Sequence, residues 1–145
     1  MIEAKVFLCA DSAVIDARSN SISLFQIIEQ VNAASFPTIL PRVTVFALLL
    51  REATDPTNLQ LQLQVHCGNQ HIFSGPMTAN FAQRLQAKSL VEMHGFVVPA
   101  PATLRFVLRT GENIIGSWEI PVNQVGRPTG VQMVFPPGTP ISQPS

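Results

Sequence analysis

The sequence predicts an all-β fold: an antiparallel immunoglobulin-like β-sandwich of seven to eight strands with at most one short helix. Three observations predict it. Apolar and polar side chains alternate with a period of two along most of the chain, the spacing that a pleated strand sends to opposite faces. The alternating runs are short, and clusters of Gly, Pro, Asn, Asp and Ser separate them, as turns require. β-Branched and aromatic residues concentrate inside the runs, where they suit a half-buried pleated surface.

The first strand spans 2–10, with Ile2, Ala4, Val6 and Leu8 on one side and Glu3, Lys5, Phe7 and Cys9 on the other. A short piece, 13–16, leads to a turn at 17–20, where Ser19 and Asn20 can bond their own backbone. Segment 21–32 has some helical spacing at Leu24, Ile27, Ile28 and Val31, but its Ile, Phe and Val content and the preceding turn favour a strand. Segment 35–42 holds Pro37 and Pro41 and is expected to cross from one sheet to the other. Segment 43–53 is apolar on both faces for most of its length, as a central strand would be. Asp55-Pro56 opens a type I turn.

From Leu59 to Cys67 the alternation is strict. Leu59, Leu61, Leu63, Val65 and Cys67 share one face, and Gln60, Gln62, Gln64 and His66 share the other. A helix would scatter the leucines, so this is a strand with one wet face. Each buried leucine contributes about 1.5–3 kcal/mol, and a register slip of one residue would expose them all. Segment 68–70 closes a hairpin and 71–76 returns. In 77–87, Phe81 and Leu85 suit one short helix, and a strand followed by a loop is the other reading. Strands follow at 89–98, 103–110 and 114–122, with Pro121 marking the last as an edge. Residues 1–125 form the domain. Residues 126–145 hold five of the twelve prolines and almost no charge, an extended or disordered tail that could add a strand through 131–135.

Composition excludes several functions. Charged residues make up only 12% of the chain, and nine Lys and Arg balance nine Asp and Glu with no charge run. Nucleic-acid binding wants a basic face, so no nucleic-acid partner is expected. No apolar run approaches the roughly 20 residues that span a bilayer, so no membrane partner is expected either. Residues 1–10 alternate and place Glu3 ahead of any apolar block, unlike a signal peptide. Cys9 and Cys67 are too few for a disulfide scaffold, which makes the cytoplasm the expected location. A surface with net charge near zero favours association, with itself or with another protein.

Chemistry-bearing groups are sparse. If Gly68-Asn69 forms a two-residue turn, His66 faces His71 with Cβ atoms about 4.5–5.5 Å apart, whereas a three-residue loop would break the facing. The pair can hold Zn²⁺ or Cu²⁺ if a third ligand arrives; a plain surface pair is the commoner outcome. Cys67 cannot join His66, because the two point to opposite faces. Asp11 and Asp16 flank the first turn and suit either a Ca²⁺ site or turn caps. Glu92 and His94 share a strand face as an ion pair or an acid–base couple. Trp118 is the only tryptophan and the candidate ligand platform; with Gly116 and Ile120 on its face, a core aromatic is the commoner outcome. Walker A, G-x-G-x-x-G, G-x-S-x-G, H-E-x-x-H and C-x-x-C motifs are all missing.

The stretches 7–16 (FLCADSAVID), 20–28 (NSISLFQII) and 35–37 (SFP), with 104–108 (LRFVL) and 116–122 (GSWEIPV), carry a resemblance. The chain resembles an uncharacterised bacterial family of small β-sandwich proteins over most of 1–125. The resemblance implies a strand ending in Cys, an acidic pair around a short hairpin, a long second strand and a closing hairpin. It implies no activity and no cofactor. The expectation is therefore a non-catalytic protein-interaction or structural module. The alternative is a sandwich binding a small ligand or carbohydrate through Trp118.

Overall fold

The computed structural model describes residues 1–126. Their ten strands run in chain order as β1 (Glu3–Ile15), β2 (Ile22–Ile27), β3 (Val31–Ala33), β4 (Thr38–Leu50), β5 (Asn58–Cys67), β6 (Gln70–Asn80), β7 (Gln86–Val98), β8 (Leu104–Thr110), β9 (Asn113–Ile120) and β10 (Val122–Gln124). The described residues contain no helix. The expected tail, with its 131–135 strand, falls in 127–145, outside the described residues.

The strands form two four-stranded antiparallel sheets, ordered β2-β1-β4-β7 and β6-β5-β8-β9. Both sheets send side chains into one core, with Phe7, Cys9, Val45 and Leu49 from the first and Leu61, Leu63, Val65, Phe106 and Leu108 from the second. The β5 alternation is as read: Leu61, Leu63, Val65 and Cys67 are buried, whereas Gln60 and Gln62 face out. β4 is central, between β1 and β7.

Several expectations need correcting. There are ten strands, not seven or eight, and β3 and β10 pair with each other in parallel. Both are only three residues long, too short to show a period. The strand orders also differ from the ABED and CFG sheets of an immunoglobulin domain. The Pro-containing segment does not cross between the large sheets, since β2 and β4 lie in the same one. The chain detours through β3 and returns, and β4 runs straight through Pro41. In 77–87 the strand-then-loop reading holds: β6 runs to Asn80, a turn follows, and Leu85 is exposed.

The β1–β2 hairpin does more than extend its sheet. The Asp11 carbonyl accepts the Thr44 hydroxyl at 3.2 Å, and Thr44 points away from the shared core. At the hairpin tip, the Asn20 carbonyl accepts Lys88 Nζ at 2.6 Å, near the start of β7. The hairpin therefore doubles back across the outer face of the first sheet. Ala13, Ile22 and Leu24 are half-buried on it, and Phe46, on the sheet face beneath, is only 3% exposed. The fold-back starts at Gln26, opposite Asp11, with φ of +56°, a left-handed conformation that non-glycine residues rarely adopt.

Candidate functional site

The outer face of the second sheet carries the histidines. Gly68 takes φ +59° at the first central position of its turn, the Gly placement of a II′ hairpin. That turn puts His66 opposite His71, after a register shift between Val65 and His66. Their ring centroids are 5.2 Å apart, edge to face. The two rings meet as the alternation requires, but the neighbours are cations. Arg105 pairs with His66 across β8, and Glu119 lies beyond Arg105 on β9. Burial, then the charges of His71, Arg105 and Arg109, hold His66 below the usual imidazole range. No group of three His, Cys, Asp or Glu that could hold a metal occurs among the described residues.

The rest of that face is a hydrogen-bonded polar mat. Gln62 Nε2 donates to Ser74 Oγ at 2.7 Å, and Arg109 Nε donates to Gln64 Oε1 at 2.8 Å. The second bond spans Val107, which faces Gln64 across the strands and is nonetheless buried. Arginine stems commonly cover apolar surface in this way while the head stays wet.

Trp118 is half-buried against the core, and its Nε1–H donates to the Ile28 carbonyl at 3.0 Å. Beside it, Gly116 leaves space for Phe7: a Cβ there would stand 3.0 Å from the Phe7 Cβ and Cγ. Trp118 therefore joins β9 to the segment that links β2 with β3. The far side of that segment opens into a groove of about 720 Å³, lined by Asp11, Gln26, Glu29, Asn32, Leu40 and Arg42 among others. Arg42 reaches Asp11 twice, Nη2 to the carboxylate at 2.8 Å and Nε to the carbonyl at 2.9 Å.

The two aspartates do not meet at a cation. Asp11 pairs with Arg42. Asp16 accepts the backbone N–H of Arg18 and Ser19, which holds its carboxyl below the usual range. Glu92 and His94 form a surface contact at 3.2 Å. Cys9 is buried, and burial pushes its thiol up, away from the reactive thiolate. The Cys67 sulfur lies against the carbonyls of Ala100 and Ala102.

Two features went unnoticed in the sequence. One is Arg51, buried at the end of β4. Its guanidinium donates to the carbonyls of Arg84, Glu52 and Asp55 and lies 5.7 Å from the Phe81 ring centroid. A charge at a strand end reads as surface, and nothing in the sequence signals otherwise. The other is the solvent side of the hairpin, where Val14, Phe25 and Ile27 are 55%, 49% and 41% exposed. The alternation of 21–28 could have shown it, had the outward positions been checked for polarity.

These features define, among the described residues, a small all-β domain with a polar sheet face, an open groove and an exposed apolar hairpin. A family model described as a family of unknown function, DUF6941, matches residues 5–123, and the chain belongs to that family. No curated protein matches the chain. No helix among the described residues is long and apolar enough to cross a membrane.

Proposed function

We propose that the domain is a non-catalytic protein-interaction module that docks through the β1–β2 hairpin. One observation carries the reading: β2 is a sheet edge whose solvent side presents Phe25 and Ile27 beside Val14. Apolar groups clustered on an edge strand mark association surfaces. The inert, buried Cys9 and the cation-flanked histidine pair support the non-catalytic part of the reading. The test is capture from a lysate of the source cells, comparing wild type, Phe25→Glu and Gln62→Ala. Proteins held by wild type and Gln62→Ala but lost from Phe25→Glu support the reading. The same set held by all three overturns it.

Ligand binding is the second reading, favoured by the groove at Asp11, Arg42 and Gln26 rather than by an open Trp118 face. Because Trp118 holds the Ile28 carbonyl behind that groove, its fluorescence reports on occupancy. Emission that ignores a panel of sugars and small polar metabolites removes this reading.

A further inference from the structure

The tip of the β1–β2 hairpin and the turn between β6 and β7 flank a cavity of about 410 Å³. That volume lies within the range of small-molecule sites, about 300–1,000 Å³. Asn20 lines it from the hairpin, Asn80 and Arg84 from the turn, and Gln86 and Lys88 from the start of β7. Local bonds set the walls. Lys88 Nζ donates to the Asn20 carbonyl at 2.6 Å and ties the hairpin tip to β7. Across the cavity, Asn80 Oδ1 accepts the Ala82 N–H at 2.9 Å, and the Arg84 N–H donates to the Phe81 carbonyl at 2.8 Å, which closes the turn on itself.

The charge around this cavity has one sign. Arg84 and Lys88 are its charged lining residues, and no carboxylate lines it. Asp16, next to the lining residue Ile15, turns its carboxylate to the N–H groups of Arg18 and Ser19 instead. Arg51 adds a third cation: its guanidinium donates to the Arg84 carbonyl at 2.8 Å and lies 5.7 Å from the ring of Phe81, which also lines the cavity. Neither Arg84 nor Lys88 has an ion-pair partner among the described residues. Lys88 uses one of its three donors on Asn20. An exposed lysine or arginine commonly meets only water. Here two of them share a concave wall with a buried third behind it, and a cleft of one sign concentrates ions of the other.

We propose that this cavity binds a phosphate group between Arg84 and Lys88. The planar fork of an arginine matches two phosphate oxygens, and a lysine adds a point charge beside them. The side-chain amides of Asn20, Asn80 and Gln86 stand along the same wall and supply uncharged donors. The assignment goes beyond the interaction reading and stands without it, because it needs Arg84 and Lys88 where docking needs Phe25. A bound phosphate bridges the hairpin tip and the β6–β7 turn, two elements that the Lys88 bond to Asn20 already brings together.

Amide NMR of the isotope-labelled full chain, titrated with sodium phosphate at constant ionic strength, tests the assignment. Saturable shifts are expected at Asn20, Ala82, Arg84, Lys88 and their neighbours, with a Kd on the order of 1 mM. Arg84→Gln and Lys88→Gln each weaken binding by about 10-fold, the loss of one charge-assisted bond. Lys88→Arg keeps the charge and stays within about 3-fold of wild type. Arg18→Gln, on the same hairpin but outside the cavity lining, leaves binding unchanged. Far-UV circular dichroism of each variant excludes misfolding as the cause. Shifts that do not saturate, that sodium chloride alone reproduces, or that Arg84→Gln and Lys88→Gln leave intact overturn the assignment. Glycerol phosphate in a parallel titration separates the sources: tighter binding than inorganic phosphate assigns the site to a phosphate monoester, and equal or weaker binding assigns it to the free anion.

Discussion

The outer faces of the two large sheets are built on opposite principles. On the second sheet, Gln62, Gln64, His66, Arg105 and Arg109 form the outer layer, with Gln62 bonded to Ser74 and Arg109 to Gln64, and Val107 is buried among them. On the first, Thr44 and Phe46 lie under the returning β1–β2 hairpin and see almost no solvent. One sheet is finished by its side chains and the other by a piece of its own backbone. A strand apolar on both faces is thus a strand with cover on both faces, and a strictly alternating strand is one left wet on one side.

That contrast can be broken at Phe46. If the hairpin is a true roof, Phe46→Ala costs about 3–5 kcal/mol, the loss typical of a buried phenylalanine. Urea denaturation of the variant measures it, and a cost under about 1 kcal/mol would mean that the face is effectively surface. The next effect is expected where the two layers meet most closely. Gly116→Ala drives a methyl into Phe7 and should cost about 1–3 kcal/mol by overpacking, read as a fall in thermal midpoint. On the wet face the expectation reverses. Gln62→Ala removes one exposed bond to Ser74 and should change stability by no more than about 0.5 kcal/mol, by the same denaturation assay.

The smallest effect is one of pH. His66 is held below its ordinary range in the folded chain, so the unfolded chain binds the proton first as pH falls. Stability should be unaffected by His66 near pH 8, and it should decline as pH drops through about 6.5 and on through the lower folded value. His66→Gln should match wild type at pH 8 and exceed it near pH 5, by chemical denaturation at both pH values.

Much of the fold was legible in the sequence where side chains declare their surroundings. β5 was placed by its leucines and the central position of β4 by its doubly apolar run, while the His66–His71 encounter was legible only as one of two loop lengths, which the structure decides. What escaped was set by backbone geometry or by short range. Pro41 reads as a break, yet it sits within β4. The β3–β10 pair is too brief to carry a period. The doubling back of the hairpin depends on one left-handed residue, Gln26, which nothing about glutamine announces. Gln26 also lines the groove, which was equally hidden, and Trp118 was seen as a side chain without the carbonyl it would hold.

Arg51 carries a last consequence. A single guanidinium gathers carbonyls from the turn after β4 and from the loop before β7, so neither loop can open without orphaning donors in a nearly dry place. The two loops should therefore protect their amides as one cooperative unit, so that opening either one exposes both.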